Sequence, residues 1–172
     1  MFIESVELRN IKSYATPPTR VLFRNGVNLI WGDNGSGKTT ILESIGYALF
    51  GVNNYNISQF IREGEDEGEI VLTFEARDER MYQVVRNLKK TAKIEIIDPV
   101  TRRKITSRKQ DAEDWITDNL GIENQDYGKQ LFENALGVAQ GKMTGSFLET
   151  ESARKSIFAP ILRVDDYDNA WK

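Results

Sequence analysis

The chain has 172 residues, with 26 acidic and 23 basic side chains, a net charge of −3, and neither histidine nor cysteine. That length suits one domain with a core of its own, and the composition excludes disulfides, thiolate metal sites and histidine ligands or bases, leaving carboxylates, lysine, hydroxyls or a bound metal for any catalysis. No apolar run reaches the roughly eighteen residues of a membrane span, and residues 1–5 lack the charged-then-apolar pattern of a secretory signal, so the sequence predicts an intracellular protein with no membrane partner.

Residues 2–10 alternate apolar and polar side chains, as a half-exposed strand does. Residues 11–14 follow, then a breaker at Pro17-Pro18, a short strand over 20–24 and a turn at Asn25-Gly26. The apolar run 27–31 reads as a buried strand. A helix is expected over 40–50, with Ile41, Leu42, Ile45, Ala48 and Leu49 spaced to pack on a sheet and Gly51 as its stop. The polar stretch 53–67 reads as an exposed connection. Strands are expected over 69–75, 81–88 and 93–97, the first two joined through residues 77–80 as an antiparallel hairpin. From Ser107 the periodicity turns helical, with Ala112, Trp115, Ile116 and Leu120 on one face, Thr106 or Ser107 as the cap and Gly121 as the stop. Residues 131–139 fit strand or helix. Thr150-Glu151-Ser152 opens a further helix that Pro160 limits or kinks, and residues 165–172 carry no stop signal.

Between the strand over 27–31 and the helix over 40–50 lies Gly32-Asp33-Asn34-Gly35-Ser36-Gly37-Lys38-Thr39, which fits the phosphate-loop pattern G-x-x-x-x-G-K-[ST] in its required strand–loop–helix setting. The pattern predicts binding of ATP or GTP with Mg²⁺. Glycines let backbone N–H groups approach a polyphosphate, Lys38 reaches the β and γ phosphates, and the Thr39 hydroxyl ligates the metal. The helix N-terminus adds unpaired N–H groups and a favourable dipole. The clamp is assigned to Asn34, Gly35, Ser36, Gly37, Lys38, Thr39 and Thr40. A turn that merely joins strand to helix has no need of Lys-Thr at those places.

Charge is distributed unevenly. Nine basic residues, Arg86, Lys89, Lys90, Lys93, Arg102, Arg103, Lys104, Arg108 and Lys109, fall between positions 86 and 109, after an acidic run over 63–69. Such a cluster is either a solvated face or a phosphate-backbone contact, for which Arg102, Arg103 and Lys104 are the candidates. A hydrolysing phosphate-loop enzyme also needs an apolar strand ending in Asp, often followed by Glu. The nearest approximation, Ile94-Glu95-Ile96-Ile97-Asp98-Pro99, is interrupted by Glu95 and reads as a strand ending in an Asp-Pro turn.

With these residues in view the chain resembles the N-terminal half of an SMC/SbcC-type ATPase head of the ABC-like class, closest to the SbcC-like subunit of the double-strand-break repair nuclease complex. The resemblance rests on residues 2–14, on the phosphate loop with Leu42-Glu43-Ser44-Ile45-Gly46-Tyr47-Ala48-Leu49-Phe50-Gly51, on Val138-Ala139-Gln140-Gly141 as a Q-loop, and on residues 147–167 as a helix entering a coiled coil. It implies a P-loop NTPase fold of α/β class, with a central sheet, an antiparallel β layer and flanking helices. The head half would occupy residues 1–164 and the start of the coiled-coil helix 165–172. It also implies that Gln140 ligates Mg²⁺ beside Thr39, that Lys12 and Ser13 lie near the nucleotide's phosphates or ribose, and that residues 61–63 lie near the base. The implied partners are the C-terminal half of the same head, a second head in a homodimer, an SbcD/Mre-type nuclease, and DNA, in the cytoplasm or nucleoid (the nucleus in a eukaryote). The family's signature motif, Asp-Glu site and switch histidine are not in this sequence, so hydrolysis would need the other half.

Two rival readings stand beside this one. A self-contained phosphate-loop kinase would carry an acceptor site and lid arginines, for which the sequence offers nothing beyond the general basic cluster. A nucleotide-binding module without catalysis needs only the loop.

Overall fold

The computed structural model describes residues 2–52, 56–89, 92–137, 150–162, 164 and 170–171. Strands β1 (Phe2–Arg9), β2 (Thr19–Leu22), β3 (Gly68–Glu75), β4 (Met81–Leu88), β5 (Lys93–Asp98) and β6 (Arg103–Thr106) form one antiparallel sheet in the order β2-β1-β3-β4-β5-β6. Helix α1 (Lys38–Phe50) lies over it, with Phe60 of the single turn α2 (Ile57–Phe60) against its Tyr47 ring. Helices α3 (Lys109–Leu120) and α4 (Gln125–Leu131) follow, then a π-helical turn (Phe132–Leu136) and α5 (Glu151–Leu162).

The period of two along each strand sorts the sheet into two faces. Register places Leu8, Ile70, Arg86 and Ile94 in one row across four strands, and Val6, Leu72, Val84 and Ile96 in the next. The seven apolar members of these rows are 0–2% exposed, each burial being worth roughly 1.5–3 kcal/mol. Ile41, Ile45, Ala48 and Leu49 of α1 close this core from above. Trp115 of α3 seals its far end, edge-on to Tyr82 at 4.7 Å and to Phe74 at 6.4 Å between ring centroids. The opposite face carries ion pairs, Arg9 with Glu67 and Glu69 and Lys104 with Glu95.

Apart from the strand expected over 27–31, the expected strands and helices recur within a few residues of their sequence-derived bounds, and β3–β4 is the expected hairpin. Four differences have physical causes. Residues 27–31 form no strand, and Val27, Leu29 and Trp31 are 100%, 84% and 86% exposed. An apolar run becomes a buried strand only with a neighbour on each side, and among the described residues no strand pairs with it. The stretch 53–67 is not wholly exposed. Phe60 and Ile61 are buried, and Lys12 N–H and Arg62 N–H donate to the carbonyls of Phe60 and Asn10, fastening this segment to the end of β1. Strand β6, too short and charged to stand out in the sequence, pairs with β5. The cap of α3 is Arg108, with no side-chain bond, rather than Thr106 or Ser107.

Candidate nucleotide-binding site

Helix α1 sets the site. Its N-cap is Gly37 in left-handed geometry (φ 94°, ψ 10°), preceded by Gly35 at φ 82°, backbone that a side-chain-bearing residue adopts only under strain. Asp33 C=O accepts from Ser36 N–H at 3.2 Å, closing the loop on itself. The N–H groups of the first turn, from Lys38 to Thr40, stand at the positive end of the helix dipole where an anion would sit.

Lys38 folds back over the loop, its ammonium donating to the carbonyls of Gly32 and Asp33 at 2.7 Å each. Those are neutral acceptors holding a full positive charge. A triphosphate offers the same ammonium anionic oxygens, adding attraction between opposite charges to bonds whose donor is already charged, so the loop fits a polyphosphate. Asn34 and Thr39 are exposed, the latter with its hydroxyl available to a metal, whereas Thr40 is buried at 5% and presents backbone rather than side chain. Mg²⁺ keeps most of its shell as water and phosphate oxygen, so a single protein hydroxyl is an adequate start to its coordination. Gln140, the expected second ligand, lies outside the described residues, as does the rest of 138–149.

The turn after β1 lies against the loop. Ile11 and Tyr14 exchange backbone hydrogen bonds of 3.0 and 2.8 Å, and Lys12 takes φ 44° between them. Ser13 Oγ then donates to Gly35 C=O at 3.3 Å, and Tyr14 Oη to Gly37 C=O at 3.2 Å. Lys12 Nζ sits 2.6 Å from Glu43 Oε2 of α1 and 5.3 Å from the Phe60 ring centroid. Ser13 thus touches the loop, while the charge of Lys12 is paired one helical turn beyond Thr39. Arg62, in the segment expected near the base, donates from Nη1 to Lys12 C=O at 3.1 Å.

The far end of α1 is held as firmly as its start. Gly51 N–H and Val52 N–H donate to Tyr47 and Gly46 C=O, the paired bonds of a left-handed glycine cap. The next two carbonyls take side chains from across the fold, Ala48 C=O from Arg86 Nε at 3.0 Å and Leu49 C=O from Gln125 Nε2 at 3.2 Å. Arg86 is 5% exposed, its guanidinium lies 5.4 Å from the Tyr47 ring centroid, and its Nη2 is buried without a partner among the described residues. Burial lowers its pKa from the ordinary arginine value, partly offset by Tyr47 and Glu113. The same burial raises the Tyr47 phenol.

Arg86 therefore leaves the basic cluster that the sequence suggested for nucleic acid: it is a core residue. The sheet's own alternation carries this signal, since Tyr82, Val84, Arg86 and Leu88 share the inner face. The other described members of the cluster are at the surface, and Lys90 lies outside the described residues. Lys89 pairs with Glu67 and Lys104 with Glu95, while Arg102 (φ 56°) and Arg103 stand exposed on the β5–β6 hairpin. Among the described residues, Asp98 belongs to no cluster of acidic side chains that could hold a metal. Its Oδ1 accepts from Val100 N–H at 2.8 Å and Thr101 N–H at 3.1 Å, and these bonds, foremost that from Thr101, hold its carboxyl below its ordinary value. It is the Asp-Pro turn expected from the sequence.

Comparison with known proteins gives the chain's family and fold. A family model described as an AAA domain matches residues 5–172. The DNA double-strand break repair Rad50 ATPase of Methanopyrus kandleri is 28% identical over 174 residues, covering 98% of this chain and 19% of the relative. That of Thermoplasma volcanium is 29% identical over 169 residues, covering 96% and 18%. The chain thus spans about a fifth of the length of these relatives. Among solved structures, one from work on the ATP-driven dimerization and DNA-stimulated activation of SMC ATPases superposes with a TM-score of 0.72 at 23% identity, covering 94% of this chain and 99% of that one. The Smc head domain with a coiled coil and joint derived from Pyrococcus yayanosii gives 0.70 at 23%, covering 98% and 34%. At such identities the likeness is one of fold, and the fold is that of a P-loop ATPase head.

Proposed function

Because the chain belongs to the AAA domain family, and is related along its whole length to Rad50 ATPases, we propose that it is the ATP-binding half of a DNA-repair or chromosome-maintenance ATPase head. The observation that carries this reading is Lys38. Its ammonium rests on two loop carbonyls at the mouth of a helix N-terminus, where triphosphate oxygens are the better acceptors.

In this reading Asn34 to Thr40 cradle the phosphates with backbone N–H groups, Lys38 leaves Gly32 and Asp33 for the β and γ phosphates, and Thr39 presents its hydroxyl to Mg²⁺, with Gln140 as second ligand. The metal, when bound, neutralises charge on the phosphate oxygens. Water activation and the signature contact across the nucleotide fall to the C-terminal half of the head and to a second head. ATP would then join two heads, through contacts made only in the joined state, and hydrolysis would part them. Head engagement would govern DNA binding and an associated SbcD/Mre-type nuclease, in the cytoplasm or nucleoid. Arg102, Arg103 and Lys104 are proposed as phosphate-backbone contacts, which carry no sequence information and so suit DNA ends of any sequence.

The test is ATP binding and turnover. The chain with its C-terminal half is expected to bind Mg-ATP and hydrolyse it, and Lys38→Ala to lose both at unchanged fold. Full nucleotide affinity in Lys38→Ala would overturn the reading, and robust phosphate transfer to a small molecule by the chain alone would favour a kinase.

A further inference from the structure

Tyr14 is a half-buried aromatic that the loop motif does not include, yet it touches in two separate ways the residue on which the loop depends. Its hydroxyl donates to Gly37 C=O at 3.2 Å. Its ring occupies the space a side chain at Gly37 would need, since a Cβ there would lie 3.0 Å from Cε2 and 3.2 Å from both Cζ and Oη. Tyr14 is itself fixed by the two backbone bonds to Ile11, which is fully buried.

We propose that Tyr14 is a positioning residue of the phosphate site, holding the Gly37–Lys38 peptide so that its N–H faces the phosphates. A trans peptide points its C=O and N–H in opposite directions. Whatever fixes the Gly37 carbonyl therefore aims the Lys38 N–H. That carbonyl already accepts from Ile41 N–H at a long 3.3 Å, and Tyr14 supplies a second, lateral donor. With Gly37 at φ 94° and no Cβ to restrain it, the peptide's other constraint is the ring lying against it. Ser13 acts in the same sense two residues earlier, through Gly35 C=O. The residue pair after β1 is thus a two-hydroxyl clip on the outer side of the loop. Desolvation raises the Tyr14 phenol above its ordinary pKa, so it stays a donor throughout the neutral range.

This inference rests on the phosphate-binding reading above and makes a narrower claim about it. The test compares the full chain with Tyr14→Phe and Tyr14→Leu, measuring affinity for inorganic tripolyphosphate with Mg²⁺, affinity for Mg-ATP, and melting temperature without ligand. One neutral hydrogen bond corresponds to about two- to tenfold in affinity. Tyr14→Phe is expected to weaken tripolyphosphate and ATP by that same factor, with a smaller fall in melting temperature than Tyr14→Leu. Wild-type affinity in Tyr14→Phe would overturn the inference, and so would a loss confined to ATP, which would assign Tyr14 to the base. A loss accompanied by the same fall in melting temperature as Tyr14→Leu would assign it to packing and overturn it too. If the wild-type chain itself failed to bind tripolyphosphate, the phosphate site as a whole would fall, a result distinct from the other three.

Discussion

Replacing Arg86 by methionine separates the structural from the electrostatic content of the basic cluster. Methionine fills most of the volume and removes a buried charge whose Nη2 has no partner among the described residues, which by itself favours the variant. Against this stand the bond from a charged donor to Ala48 C=O, about 1.5–3 kcal/mol, and the packing on the Tyr47 ring, about 0.5–2 kcal/mol, both of which methionine forgoes. The Ala48 carbonyl cannot be deleted along with its partner, so it is left unpaired in the core, and the gain seen when both members of a buried pair become apolar is not available. The balance is a destabilisation of about 1–3 kcal/mol, which for a domain of this size lowers the melting temperature by roughly 2–12 °C. Thermal and urea unfolding measure it. Nonspecific DNA affinity, followed against salt, should keep its slope in Arg86→Met. Joint reversal of Arg102, Arg103 and Lys104 should instead reduce that slope by about 0.9 for each phosphate no longer neutralised, with little change in melting. An unchanged or raised melting temperature in Arg86→Met would refute the reasoning, because relief of the buried charge would then outweigh the hydrogen bond and the ring packing together.

Further outcomes follow from other parts of the fold. Gly46→Ala should cost about 1–3 kcal/mol despite a helix-propensity gain of up to about 1 kcal/mol, because the new Cβ would fall 2.2 Å from Phe132 Cε1; a Gly46→Ala/Phe132→Leu double mutant should recover part of the loss in urea unfolding. Asp78 is held below its ordinary pKa first by the Tyr82 hydroxyl, 2.7 Å away, so its contribution is present above the unfolded pKa near 3.8 and is lost as pH falls through the lower folded value. Tyr82→Phe should move the carboxyl titration seen by NMR back toward the ordinary value and shrink that acid-range contribution, while Trp115 packing survives. Coexpression with the proposed C-terminal half should raise the melting temperature and shift Trp31 fluorescence to the blue, and an unshifted Trp31 would mean that residues 27–31 stay in water.

Legibility in the sequence tracks how local each cause is. β3 and β4 are readable because their alternation and the 77–80 turn are contained within about twenty residues, and α1 is readable because a motif fixes its start and Gly51 its end. The loop residues follow from the motif. The roles of Tyr14 and Glu43 and the burial of Arg86 do not, because each depends on a partner more than twenty positions away: Gly37, Lys12 and Ala48. Arg86 is the most recoverable of the three. Strand parity alone places it beside Val84 and Leu88, and a lone arginine on an apolar face signals a buried partner rather than a solvated patch.

The segment 27–31 is where sequence and structure part, and its pattern argues for what would complete the head. Val27, Leu29 and Trp31 share one face at a period of two and lie in water, while Ile30 packs against the core. A strand-forming pattern with one side already engaged fits the proposal that residues 27–31 join a sheet with the completing half. It also runs directly into Gly32, so whatever pairs with residues 27–31 fixes the entry to the phosphate loop from one side while α1, clamped by Arg86 and Gln125, fixes its exit from the other. Nucleotide affinity and completion of the sheet should therefore be coupled: each favours the same loop geometry, so ATP should tighten association with the completing half by the factor by which that half tightens ATP. Independent binding of the two would mean that the loop is set by α1 and Tyr14 alone.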